Sequence, residues 1–83
     1  MTDASMRYHF NVISASGTLN DREGSELPSL ADARHEAIED ARFLMSAAVL
    51  EGRDISGRSI EICNEAGDVL LVVPFSEALT RGD

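Results

Sequence analysis

The sequence has no lysine and no tryptophan, and it carries a single cysteine, a single tyrosine and two prolines. One thiol, Cys63, cannot close an internal bridge, so a disulfide-stapled miniprotein is excluded. Long apolar runs are missing too. The longest are Val69–Phe75 and the neighbourhood of Phe43–Leu50, far short of the roughly 20 residues a spanning helix needs. The opening MTDASMRYHF has no basic segment followed by an apolar stretch, so no secretory signal is read there and a cytoplasmic protein is expected. Positive charge is scarce: seven arginines (Arg7, Arg22, Arg34, Arg42, Arg53, Arg58, Arg81) face fifteen acidic residues, for a formal charge of -8. A field of that sign repels phosphate backbones, so direct nucleic-acid binding is not expected, while a basic protein partner would suit it. The lysine deficit reads as a compositional bias of the source, of the kind a GC-rich bacterial genome imposes.

What is present is enough for one small core. Of 83 residues, 43% are hydrophobic, which fits one domain and excludes a multi-domain enzyme. A chain this short buries only roughly 60–65% of its potential surface and has little material for a deep enclosed pocket. The expected organisation is a disordered start over residues 1–5, one domain over 6–79 and a flexible tail over 80–83.

From Met6 the chain alternates. Met6, Tyr8, Phe10 and Val12 share one side, and Arg7, His9 and Asn11 the other, the pattern of a half-buried strand. Ser14–Leu27 is poor in apolar residues and predicts a brief edge strand around the polar tip Asp21-Arg22-Glu23-Gly24. Leu27-Pro28-Ser29-Leu30-Ala31-Asp32 then marks a helix start, with Ser29 as cap and Asp32 three residues on in a capping-box-like pair. Leu30, Ala33, Ala37, Ile38, Ala41, Leu44, Met45, Ala48 and Val49 fall within an arc of about 160° at 100° per residue. Gly52 closes the helix as a left-handed cap, giving one long helix over about residues 30–51. Its many alanines allow close approach to a sheet carrying larger side chains. Ile55 is expected to tuck under the helix. Arg58–Asn64 and Asp68–Phe75 read as a hairpin of two strands closed by Gly67 in the left-handed region. Val69, Leu71, Val73 and Phe75 are assigned to the inner side of the last strand. Pro74 belongs at a strand end or an unpaired edge position. The predicted fold is α+β, β-β-α-β-β: a four-stranded antiparallel sheet of order 2-1-3-4 with the helix across one face.

Two sets of apolar residues are left over. Phe43, Ala47 and Leu50 sit on the helix away from its main arc, and Leu70 and Val72 point from the last strand to the uncovered sheet face. These five are the candidate interface, favouring a homodimer or higher assembly; the alternative is that the tail, with Leu79, folds over one patch. Catalytic chemistry is poorly represented. Cys63 shares a sheet face with Glu61, and His9 lies on the corresponding face of a neighbouring strand, so a thiol–imidazole pair is geometrically conceivable. His35 lies four residues before Glu39 on the helix flank. The carboxylates Asp32, Glu36, Glu39 and Asp40 crowd the solvent side of the first turns and read as solvated surface, with docking of an Arg-rich partner as the alternative. Asp21-Arg22-Glu23-Gly24 reads as a turn rather than a calcium loop. No metal-ligand spacing, phosphate-cradling glycine loop or Ser-His-Asp set occurs, so no catalytic residue, metal or cofactor is assigned.

Arg7-Tyr8-His9-Phe10-Asn11, Gly24-Ser25-Glu26-Leu27-Pro28-Ser29-Leu30, Ala33-Arg34-His35-Glu36-Ala37 and Val73-Pro74-Phe75-Ser76-Glu77-Ala78 together resemble the DUF6894 family, small proteins of unknown function common in rhizobia and related alphaproteobacteria. The likeness covers roughly residues 6–78. That family usually has an acidic residue after its Tyr-x-Phe, where this chain has Asn11. The resemblance brings no activity and no functional residue with it. The element order is also loosely similar to the N-terminal domain of HicB-type antitoxins, which have a Leu-Pro loop before the helix and often add a DNA-binding segment; this chain is expected to lack that segment. Three readings follow: a non-enzymatic protein-interaction or self-assembling module, an antitoxin-like regulator of a basic protein partner, and a minor thiol activity built on Cys63 and His9.

Overall fold

The computed structural model describes residues 5–79. The expectations for a disordered start and a flexible tail lie, Ser5 apart, outside the described residues. The elements are β1 (Met6–Ser14), β2 (Gly17–Leu19), β3 (Ser25–Leu27), α1 (Leu30–Leu50), β4 (Ser59–Cys63), β5 (Val69–Pro74) and a 3-10 turn (Phe75–Ala78). They form an antiparallel sheet of five strands along the path β2-β1-β4-β5, with β3 also paired to β1, and α1 packed on one face.

The predicted order is thus the observed one, except that the single brief second strand is two. Val12, Ile13 and Ser14 pair with β2, and Met6, Arg7 and Tyr8 pair with β3. Between these ladders the chain bows out over residues 20–24, and Asp21 substitutes for the missing strand. Its Oδ2 accepts the Phe10 amide at 3.1 Å, its Oδ1 accepts the Gly24 amide at 3.1 Å, and its own amide donates to Asn11 Oδ1 at 2.8 Å. Otherwise unpaired strand-edge groups are satisfied in this way. Gly24 makes the return possible. Its φ is +70°, and a Cβ there would sit 2.8 Å from the Tyr8 carbonyl oxygen, a close approach that only glycine tolerates.

The helix begins as its sequence requires. Ser29 Oγ accepts the Asp32 amide at 3.2 Å and donates to the Asp32 carboxylate at 2.8 Å. Asp32, shorter than Glu, therefore holds the capping hydroxyl itself. Gly52, at φ +77°, follows the last turn. Ala33, Ala37, Ala41, Met45 and Ala48 are buried against Tyr8, Phe10, Ile60, Ile62, Val73 and Phe75, and Ile55 joins the same cluster. Val49, at the edge of the arc read from the sequence, is 68% exposed, and within the arc Leu30, the first residue of the helix, and Leu44 are partly exposed.

At the last hairpin Gly67 has φ +88° and its amide donates to the Asn64 carbonyl at 3.0 Å, while Asp68 N–H donates to Asn64 Oδ1 at 2.9 Å. The inner-side assignment of Val69 is overturned. Ile62 pairs with Leu71 but Cys63 with Val69, leaving Leu70 as an extra residue. This bulge resets the alternation, so Val69 falls on the side of Cys63 and is half exposed, while Leu71 and Val73 keep the inner face. The Phe75 amide donates to the Arg58 carbonyl at 2.9 Å, and Arg42 Nε donates to the Ala78 carbonyl at 2.9 Å, so the 3-10 turn is fastened to both sheet and helix. No helix among the described residues is long and apolar enough to cross a membrane.

Candidate functional site

Two faces of the molecule carry the residues singled out above, and they differ in chemistry. Behind the sheet, on the side away from α1, β1 presents His9 and Asn11, and β4 presents Glu61 and Cys63. His9 and Cys63 are direct cross-strand partners, as their shared face implied. Their side chains are engaged elsewhere. His9 Nδ1 lies 2.8 Å from the Asp21 carbonyl oxygen, and the Asn11 amide points at Cys63 Sγ from 3.6 Å. Cys63 is only 5% exposed. Burial pushes its thiol up, with the Glu61 and Asp68 carboxylates acting in the same direction against the Asn11 hydrogen bond. A nucleophilic cysteine needs the opposite shift. Beside the pair lies a shallow hollow of about 350 Å³ reaching Arg22, Asn64 and Glu65. Among the described residues no group of three or more His, Cys, Asp or Glu is placed to hold a metal ion.

The predicted interface residues divide between the two sides. Phe43, Ala47 and Leu50 are all exposed on α1, Phe43 at 73% and Leu50 at 87%. Val72 lies opposite Glu61 on the helix-free face and Leu70 occupies the bulge. These are separate surfaces, not one. Leu79 does come back to the helix, flanking a hollow of about 330 Å³ with Met45, Val49 and Leu50; it leaves Phe43 and Ala47 open. His35 Nε2 stands 3.0 Å from Glu39 on the exposed flank, a pair worth roughly 0–1 kcal/mol.

On the helix side the structure assembles a feature that the sequence did not disclose. The helix leaves the β1–β2 corner of the inner face uncovered. Val12 and Leu19, cross-strand partners, form its floor, and Leu19 is 73% exposed. Phe43 and Leu44 of α1 form its wall. Two hollows meet at Val12: one of about 180 Å³, bordered by Phe10, Asp40, Phe43 and Leu44, and one of about 330 Å³, bordered by Ser14, Leu19 and Arg58. The Asp40 carboxyl is lifted above its ordinary range, first by burial and then by the nearby Glu36, Glu39 and Asp21 carboxylates. Among the described residues Arg58 has no ion pair and no side-chain hydrogen bond, a condition only Arg22 shares. The result is a groove with an apolar centre, a carboxylate at one end and, at the other, a guanidinium beside Ser14, Ser16 and Thr18. An isolated Leu19 in a polar stretch was the one sequence signal of it.

A family model described as a domain of unknown function, DUF6894, matches residues 7–76. The chain belongs to the DUF6894 family. The match takes in the whole helix and all of every strand but Met6, the first residue of β1, so the groove and the polar hollow both lie within the DUF6894 domain. Neither the curated proteins nor the solved structures compared with the chain yield a match. The DUF6894 description assigns no activity, and the functional reading therefore rests on these surfaces.

Proposed function

We propose that this DUF6894 chain is a non-enzymatic protein-interaction module that acts by self-assembly. The observation that carries the reading is the apolar surface around the second half of α1. Phe43, Leu44, Ala47, Val49 and Leu50 stand exposed within two turns of the helix, with Leu19 across the groove. Scattered apolar side chains need no explanation, but contiguous ones on a small domain mark an interaction site. Light scattering on the purified chain, from low to high micromolar concentration, tests it. The expected mass is a multiple of 9.0 kDa, with two copies favoured; a single-chain mass throughout would contradict it.

A second reading, capture of a basic protein in the manner of an antitoxin, is supported by the acidic residues Asp32, Glu36, Glu39 and Asp40 on α1. It predicts a co-purifying basic partner at fixed stoichiometry. The thiol reading has the least support, since Cys63 is covered and its thiol held protonated.

A further inference from the structure

The groove beside α1 is polar at its ends and apolar between them, and its charges run in a definite direction. Asp40 borders it near Phe10, and Arg58 borders it near Ser14. Those two β1 residues are four positions apart, or about 13 Å at roughly 3.3 Å per residue. Between them lie Val12, Leu19, Phe43 and Leu44. Resting on the self-assembly reading above, we infer that a second copy of the chain closes this groove, across a two-fold axis that sets each Arg58 against the other copy's Asp40.

In an isologous interface residue i meets j and j meets i, so the surface must be its own complement. A uniformly acidic patch on a chain of charge -8 fails that test. A patch with a cation at one end, a carboxylate at the other and an apolar centre passes it when the axis runs across the groove. The two α1 helices then lie antiparallel, Phe43 and Leu44 meet their own counterparts, and Leu19 meets Leu19. Among the described residues neither end has an ion-pair partner. Asp54 borders a hollow next to Arg58 and accepts the Ser56 amide at 2.9 Å, but among the described residues no ion pair joins it to Arg58. Asp40 faces the Glu36, Glu39 and Asp21 carboxylates, and among the described residues no ion pair reaches it. A basic partner would be repelled at Arg58 and an acidic one at Asp40; a reversed copy of the same groove is repelled at neither.

Sedimentation equilibrium on the full chain and on Arg58→Glu, Asp40→Arg and the double exchange tests this, with circular dichroism confirming that each variant is folded. Each dimer holds the pair twice, so each single reversal is expected to weaken dimerisation by about tenfold or more, and the double to return within about threefold of the starting value. Single variants that dimerise like the original chain, or a double as weak as the two singles combined, would overturn the assigned register while leaving self-assembly standing. A starting chain that stays monomeric overturns self-assembly itself.

Discussion

Phe75 offers the strongest test of how this small fold is held. Its backbone amide is bonded to the Arg58 carbonyl, and its ring is wholly enclosed between sheet and helix. An aromatic side chain buries about 150–250 Å². Truncation to alanine removes most of that area, and at about 25 cal/mol per Å² the transfer loss alone is roughly 3 kcal/mol. The cavity left behind brings the expected cost to about 3–5 kcal/mol. A chain of this length has a total stability of about 4–12 kcal/mol. Phe75→Ala should therefore be close to unfolding in water, whereas Phe75→Leu, which keeps most of the volume, should lose about 1–2 kcal/mol. Urea titration followed by circular dichroism measures both. It should be done at a concentration where the chain is a monomer, because assembly adds to apparent stability. With a slope near 1 kcal/mol per molar urea, the alanine variant's midpoint should fall by about 3 M or vanish. A loss below about 1.5 kcal/mol, or equal losses for Ala and Leu, would refute Phe75 as the keystone of the packing.

Gly24→Ala should cost at least about 2 kcal/mol, because its Cβ meets the Tyr8 carbonyl, while Gly52→Ala, left-handed but with open space around it, should cost about 1 kcal/mol; thermal melts of the two compare them directly. In the dilute monomer Asp40→Asn should raise the melting temperature at pH 7. Folding lifts the Asp40 pKa, so the ionised form carries a folding penalty above that raised value. The penalty falls away as pH drops towards 3.8, and so should the variant's advantage. Cys63 should react with an alkylating reagent more slowly than a free thiol at neutral pH; reaction at or above the free-thiol rate would reopen the thiol reading.

The elements most legible in the sequence are those whose signals are local. The period-two pattern from Met6 to Val12, the Ser29 cap and alanine-lined face of α1, and the glycine-closed hairpin at Gly67 each depend on neighbours within a few residues. The split of the second strand was not legible, because two three-residue strands have too little pattern to register and their separation depends on the Asp21 carboxylate reaching the Phe10 amide. The bulge at Leu70 was hidden for the same reason: it follows from the registration of β5 on β4, not from composition. Helical spacing alone was sufficient to place Phe43, Ala47 and Leu50 on an exposed side. It was insufficient for the groove, which joins Leu19, Arg58 and Asp40 from three distant parts of the chain.

The central claim is that this groove is where two copies meet. Isotope-filtered NMR on a mixture of labelled and unlabelled chains reads such contacts directly. The account predicts cross-copy signals linking the Phe43 ring to Leu44 methyls and Leu19 to its own counterpart, with none at Leu70 or Val72. Cross-copy signals confined to Leu70 and Val72, or none at all at concentrations where the mass is doubled, would contradict it.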